Sequence, residues 1–277
     1  MSNIDIWEKY KKIEKIGFGN YGNVYKVKNK KTGDYYAIKE IKMEKFEILE
    51  NILLEEMNKN KTENKISIKE IINNKEYLYI IMELCEYNLG EYIKIKNKSI
   101  SINEIQLILS QLNNTFKIIN EKIIYGDLKL NNILISLDRL DKCSIKLSDY
   151  CSSKFINLSN TIKNTIKGTP LTMAPEILNG ENYNFKSDIW SLGIIIYYML
   201  NKEYPYNGKN EMLLFKDITS GKKLKLSNDD LLNDLINKML EININERISW
   251  DEYFNHPFLI KIIFNYLNLI VINILKL

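Results

Sequence analysis

Near residue 89 the hydrophobic pattern of this chain changes period, and that change constrains the fold more than any single motif. Before it, apolar residues alternate with polar ones through KKIEKIGFGNYGNVYKVKN (11–29), pause at a Lys-Thr-Gly-Asp turn (31–34) and resume in YYAIKEIK (35–42). Two further strands, ISIKEII (66–72) and EYLYIIMEL (76–84), flank an Asn-Asn-Lys turn at 73–75. One helix interrupts them: KFEILENILLEEM (45–57) spaces Ile48, Leu49, Ile52, Leu53 and Met57 along one apolar stripe on an otherwise acidic helix. Beyond residue 89 the helical period dominates, around 103–121, 187–201 and 228–241. The expectation is an α+β chain, with a small antiparallel β-rich part carrying one helix followed by a larger, mainly helical part. A length of 277 residues suits two such domains or lobes.

Several chemistries are excluded by what the chain lacks. The single histidine, His256, removes Ser-His-Asp, Cys-His and multi-histidine metal sites, so catalysis must rest on carboxylates, lysines and cofactors. Cys85, Cys143 and Cys151 form no CxxC and no even set, which argues against a disulfide framework or a zinc site and for a reducing compartment. The start, MSNIDIWEKYKK, lacks the pattern of a signal peptide. An intracellular protein, cytoplasmic or nuclear, is expected. The net charge of +4 comes from scattered lysines without a dense basic stripe, so nucleic acid is not expected as a partner. The apolar tail Ile262–Leu275 is shorter than the roughly 20 residues of a bilayer-spanning helix. Three asparagines also interrupt it, and packing on the larger lobe is expected over membrane attachment. The sequence sets no oligomeric state.

Chemistry concentrates in four places. Gly17-Phe18-Gly19-Asn20-Tyr21-Gly22-Asn23-Val24 is a GxGxxGxV run. Such glycines suit a dinucleotide turn if a helix follows, but here a hairpin follows, which fits a flap over a triphosphate. Lys39, between apolar neighbours on the third strand, is placed to pair with the α- and β-phosphates and needs a carboxylate to hold it. The segment Ile124-Tyr125-Gly126-Asp127-Leu128-Lys129-Leu130-Asn131-Asn132-Ile133-Leu134 spaces Asp, Lys and Asn at i, i+2 and i+5. Asp127 can accept a substrate hydroxyl's proton, Lys129 can neutralise a transferring phosphoryl group, and Asn132 can hold magnesium. Asp149, at a strand end in IKLSDY, offers a second carboxylate for Mg²⁺ bridging the phosphates.

Together these segments resemble the protein kinase family, from about Tyr10 to Phe258. Gly168-Thr169-Pro170-Leu171-Thr172-Met173-Ala174-Pro175-Glu176 is similar to the family's GTPxYMAPE segment, Lys186–Gly193 to its central helix, and His256-Pro257-Phe258 to its usual ending, which gives His256 a packing role. The resemblance implies a bilobal protein kinase fold with residues 1–9 as an N-terminal extension, a smaller lobe over 10–85, a larger lobe over 86–259 and a tail over 260–277. It implies ATP and Mg²⁺ as cofactors. Nucleotide contacts would come from Ile16, Gly17, Phe18, Gly19, Asn20, Tyr21, Gly22, Asn23, Val24, Ala37, Lys39 and Leu134, with Met82 as gatekeeper and the backbone of Glu83 and Cys85 facing adenine. Asp127 and Lys129 would be catalytic, and Asn132 and Asp149 would hold the metal. Glu176, Asp188 and Arg247 would be structural, Arg247 pairing with Glu176. Glu50, Glu55 and Glu56 all lie on the candidate helix, and Glu50 is preferred as the partner of Lys39 because Leu53, Leu54 and Met57 follow it in the family's pattern.

Lys129 and Gly168-Thr169-Pro170 resemble the serine/threonine branch, implying protein Ser/Thr hydroxyls as acceptors. The Gly168–Glu176 segment argues against a small-molecule kinase. Gly168–Leu178 and Asn245–Leu259 are similar to autophagy-initiating kinases and nearly as similar to calcium/calmodulin-type kinases. Asn131, where some basic-directed kinases carry glutamate, argues for weak arginine-directed selectivity.

The pattern also breaks. The family's His-Arg-Asp is Tyr125-Gly126-Asp127, and its Asp-Phe-Gly is Asp149-Tyr150-Cys151. Without the arginine the usual anchor for an activation-loop phosphate is gone, so activity independent of phosphorylation at Ser159, Thr161 and Thr165 is expected. Both tyrosines bring a hydroxyl into a core and must find it a partner. Cys151 stands where glycine eases the backbone. Gly126 and Cys151 are the only support for the rival reading, a pseudokinase acting as a nucleotide-binding scaffold.

Overall fold

The computed structural model describes residues 5–19, 22–43, 63–74, 76–120, 123–137, 143–150, 153–155, 170–225 and 227–260. Asn20, Tyr21, the 45–57 helix with Glu50, Glu55 and Glu56, Cys151, the segment 156–169 and the tail from 261 lie outside the described residues. The chain divides into two compact units, Met1–Tyr87 with Leu134–Cys151, and Asn88–Ile133 with Ser152–Leu277.

The first unit is built on a five-stranded antiparallel sheet in the order β1-β2-β3-β5-β4: β1 (Tyr10–Gly19), β2 (Gly22–Asn29), β3 (Tyr35–Lys42), β4 (Ile68–Asn73) and β5 (Tyr77–Met82). A two-residue strand, β6 (Tyr87–Asn88), follows at the end of this stretch. Residues opposite one another share a face. The pairs Val24–Lys39, Ala37–Met82 and Lys39–Ile80 therefore put Val24, Ala37, Lys39, Ile80 and Met82 on one face, with Tyr25, Val27, Tyr36, Ile38, Tyr79 and Ile81 on the other. A short helix, α1 (Ile6–Lys9), covers the second face. Asp5 caps it by accepting from the Trp7 N–H at 3.0 Å, and Ile6 is buried in a cluster with Tyr10, Val27, Ile38, Tyr79 and Ile81. Residues 5–9, set apart as an extension by the sequence, thus supply part of this core.

The unit is completed by chain that returns later. β8 (Ile133–Leu137) and β9 (Cys143–Leu147) pair with each other, and β9 is stitched to the segment before β4. Leu147 N–H donates to Asn64 O at 3.0 Å, Ile66 N–H donates to Leu147 O at 3.0 Å, and Asn64 Nδ2 donates to Ile145 O at 2.9 Å. These bonds explain why Leu134–Cys151 groups with the first unit, although a cut at 85/86 assigns it to the second lobe.

The second unit is helical: α2 (Leu89–Lys96), α3 (Ile102–Ile119), α4 (Pro175–Leu178), α5 (Lys186–Asn201), α6 (Glu211–Ile218), α7 (Asp230–Met239) and α8 (Trp250–Phe254), with short strands β7 (Ile123–Ile124) and β10 (Lys154–Phe155) paired together. Ser101 and Glu104 form a capping box that starts α3, whose Ile105, Ile108, Leu109, Leu112 and Phe116 recur at helical spacing on a buried face. α5 is buried from Ser187 to Tyr197, with its polar Ser187, Asp188 and Ser191 hydrogen-bonded and the rest of that stretch mostly apolar, and it packs against α7. Arg247, 1% exposed, makes a fork of two 2.8 Å bonds to Glu176 on α4, and Ser187 Oγ donates to the same carboxylate at 2.6 Å. His256 is buried, with Nε2 2.9 Å from Asp234 and Nδ1 accepting from the Phe258 N–H. Among the described residues no helix is long and apolar enough to cross a membrane.

Candidate active site

In the first unit the glycine run spans the turn from β1 to β2, with Gly19 paired to Gly22. Gly22 has φ +147°, and a Cβ there would lie 1.9 Å from the Glu40 carbonyl oxygen, so this close approach requires glycine. Ile16 and Phe18 are exposed, and Gly17 and Asn23 lie at opposite ends of the hairpin tip, of which Asn20 and Tyr21 are outside the described residues. Lys39 is buried on the middle strand, and its Nζ donates to Asp149 Oδ1 at 2.6 Å. The sequence expected a carboxylate for Lys39 from the 45–57 helix, which lies outside the described residues; among the described residues Asp149, two residues past β9, is bonded to it. Asp149 has φ +58°, a conformation that for a non-glycine residue persists only when its surroundings hold it, and the Lys39 bond is part of that hold. Beside it Tyr150 is buried, burial pushes its phenol far above the ordinary range, and the neutral hydroxyl donates to Leu147 O at 3.3 Å.

Val24, Ala37 and Met82 share the face of the sheet that carries Lys39, while Leu134 lies half-buried on β8. Glu83 and Cys85 follow β5. The Cys85 thiol is pushed up to about 12 by burial and by the nearby Glu83 carboxylate, so at neutral pH it is a packing group and no nucleophile.

In the second unit the residues Tyr125 to Asn132 form one tightly bonded loop. Asp188, buried at the start of α5, accepts from the Tyr125 N–H at 2.7 Å and the Gly126 N–H at 2.9 Å. Its carboxyl is pushed up to about 6 by burial, against the opposing pull of those two N–H groups. Gly126 has φ +79°, which the replacement of the family's arginine by glycine makes cheap. Tyr125 is buried, and Ser153 Oγ donates to its carbonyl at 3.1 Å. Asp127 is 7% exposed; Lys129 Nζ donates to its Oδ2 at 2.6 Å, and Asn132 Nδ2 donates to its backbone carbonyl at 2.8 Å. The last bond orients the Asn132 amide, whose Oδ1 is the atom able to ligate a cation. Gly126 and Asp127 also line a small cavity with Thr172, Ser187, Asp188 and Ser191.

The donor chemistry suits Mg²⁺ and a polyphosphate. Asp149 in the first unit and Asn132 in the second, each taken by itself, offer a hard oxygen, and magnesium is usually bound by one or two protein oxygens together with substrate phosphates. No cluster of three or more His, Cys, Asp or Glu side chains fit for a metal occurs among the described residues, and such a mode of binding needs none. Sequence reasoning missed the Asp188 bonds to the loop backbone and an ion pair between Glu83 and Lys146, since partners so far apart in sequence leave no periodic signal.

Comparison with known proteins agrees with this geometry. The model of the protein kinase domain matches residues 10–259. The chain is similar to the serine/threonine-protein kinase atg1 of Dictyostelium discoideum, 33% identical over 89% of this chain and 38% of the relative. It is also similar to calcium-dependent protein kinase 5 of Plasmodium berghei, 36% identical over 99% of this chain and 49% of the relative, and to the serine/threonine-protein kinase ULK3 of Xenopus laevis, 32% identical over 88% and 54%. The chain thus spans half or less of the length of the first two.

Proposed function

The chain belongs to the protein kinase family, and from that premise we propose that it transfers the γ-phosphoryl group of Mg-ATP to serine and threonine hydroxyls of proteins. The observation that carries this reading is the loop of the second unit. There a nearly buried Asp127 carboxylate is held by Lys129 at 2.6 Å, with Asn132 bonded to the Asp127 carbonyl at 2.8 Å. Asp127 orients the incoming hydroxyl and takes its proton, Lys129 neutralises charge on the transferring group, and Asn132 offers an oxygen to the metal. In the first unit Lys39 binds the nucleotide phosphates and Asp149 offers the carboxylate for the metal. Mg²⁺, when bound, neutralises the phosphate oxygens and lowers the barrier to in-line displacement. The chain's own contribution is positioning and fixed charge, which together carry nearly all of the catalysis in phosphoryl transfer.

The names of the relatives support serine and threonine as acceptors. The test is Mg-ATP phosphotransfer by purified protein onto a degenerate Ser/Thr/Tyr peptide library. Label is expected on Ser and Thr, and Asp127→Asn is expected to lower turnover by about 10²–10⁴-fold. Equal label from the variant, or ATP binding with no transfer, overturns the reading.

A further inference from the structure

Glu83, the residue after β5, has its carboxylate held from two directions. Oε1 accepts from the Ser67 backbone N–H at 2.6 Å and from Lys146 Nζ at 2.9 Å, while Oε2 accepts from Lys146 Nζ at 3.0 Å. The Glu83 N–H donates back to Ser67 O at 3.0 Å. The two charged side chains are only 14% and 22% exposed, unlike the open surface pairs that contribute little. With its N–H and carboxylate both engaged, Glu83 has its carbonyl left to address a ligand, and the N–H bond together with the three bonds to the carboxylate restrains the backbone that carries it. Lys146 lies on β9, three residues before Asp149, in the stretch already stitched to Asn64 and Ile66. One ion pair therefore ties the segment after β5 to β9, the strand that leads into Asp149, all within the first unit.

We propose that Lys146 is a positioning residue for base recognition: through Glu83 it aims the 83–85 backbone at the 6-amino group of adenine without touching the nucleotide. The inference rests on the ATP reading above and deepens it by assigning the choice of base to a residue outside the nucleotide contacts. A lysine that only braced the fold would change the melting temperature and leave the preference among purines alone.

Wild type, Lys146→Met and Lys146→Arg are compared on ATP and on purine riboside triphosphate, which lacks the 6-amino group. Binding is read by displacement of a fluorescent ATP analogue, and turnover by phosphotransfer. In Lys146→Met the KM and Kd for ATP are expected to rise about tenfold, the loss of one well-aimed hydrogen bond, while kcat falls less than about threefold. The preference for ATP over purine riboside triphosphate falls towards unity, and Lys146→Arg restores it. If Lys146→Met does not fold, Glu83→Gln breaks the same pair and is expected to lose the same preference. An unchanged preference in either folded variant, or a loss confined to kcat, overturns the proposal. A wild type that binds ATP but transfers nothing overturns the kinase reading alone, and the binding arm still decides the role of Lys146.

Discussion

Asp188 holds the second unit's loop by charge at some expense to the fold. Its carboxyl sits at about 6 in the folded chain, above the ordinary value near 4, because burial disfavours the ionised form. A carboxyl raised on folding contributes stability that is complete below its unfolded pKa and is lost as pH rises through the folded one. Wild type is therefore expected to lose stability between about pH 4 and pH 6 relative to Asp188→Asn, which cannot ionise. The variant in turn loses one N–H acceptor and about 1–3 kcal/mol. Urea unfolding of both proteins across that range checks this, and parallel profiles would sink it. At this scale the local part of the site was readable from sequence: spacings of two and five residues put Lys129 and Asn132 within reach of Asp127 in any compact loop. Asp188, 62 residues beyond Gly126, and Lys146, 63 beyond Glu83, meet their partners only through the tertiary fold.

Among the elements, the strands and the long helices follow from periodicity. The windows 103–121, 187–201 and 228–241 correspond to α3, α5 and α7 within two residues at each end. α1 has only four residues, too few for a period to register, and so it read as an extension. Its contacts say otherwise. Trp7 packs edge-on against Tyr25 and Tyr79, Lys30 Nζ donates to the Trp7 carbonyl at 2.8 Å, and Ile6 is 1% exposed. Ile6→Ala is expected to destabilise the fold by about 2–4 kcal/mol, the range for emptying a buried aliphatic site. Thermal or denaturant unfolding measures it, and a change under about half a kilocalorie would mean the helix contributes little.

Across the whole molecule, the missing arginine at position 126 bears on regulation. Glycine there offers no guanidinium to pair with an activation-loop phosphate, so the switch that such a phosphate throws lacks its usual catch. The joint variant Ser159→Ala, Thr161→Ala and Thr165→Ala is expected to keep turnover within about threefold of wild type. A drop of about tenfold or more in the phosphotransfer assay would refute it.

The first unit is also discontinuous, since the chain leaves it at Tyr87 and returns from Leu134 to Cys151. During synthesis from the N-terminus, Lys39 emerges long before Asp149, Glu83 before Lys146, and Asn64 before the strand that takes its carbonyl. Domains made first usually fold first on the ribosome. Here all five strands of the first sheet are made before Tyr87, but Lys39, Asn64 and Glu83 must wait for Asp149, Leu147 and Lys146 while the next stretch of chain is translated. A fragment stopped at Tyr87 holds the whole sheet and its core clusters but none of the groups that Leu134–Cys151 brings to Lys39, Asn64 and Glu83, so the site on this unit is assembled only after the second unit's first helices have been made.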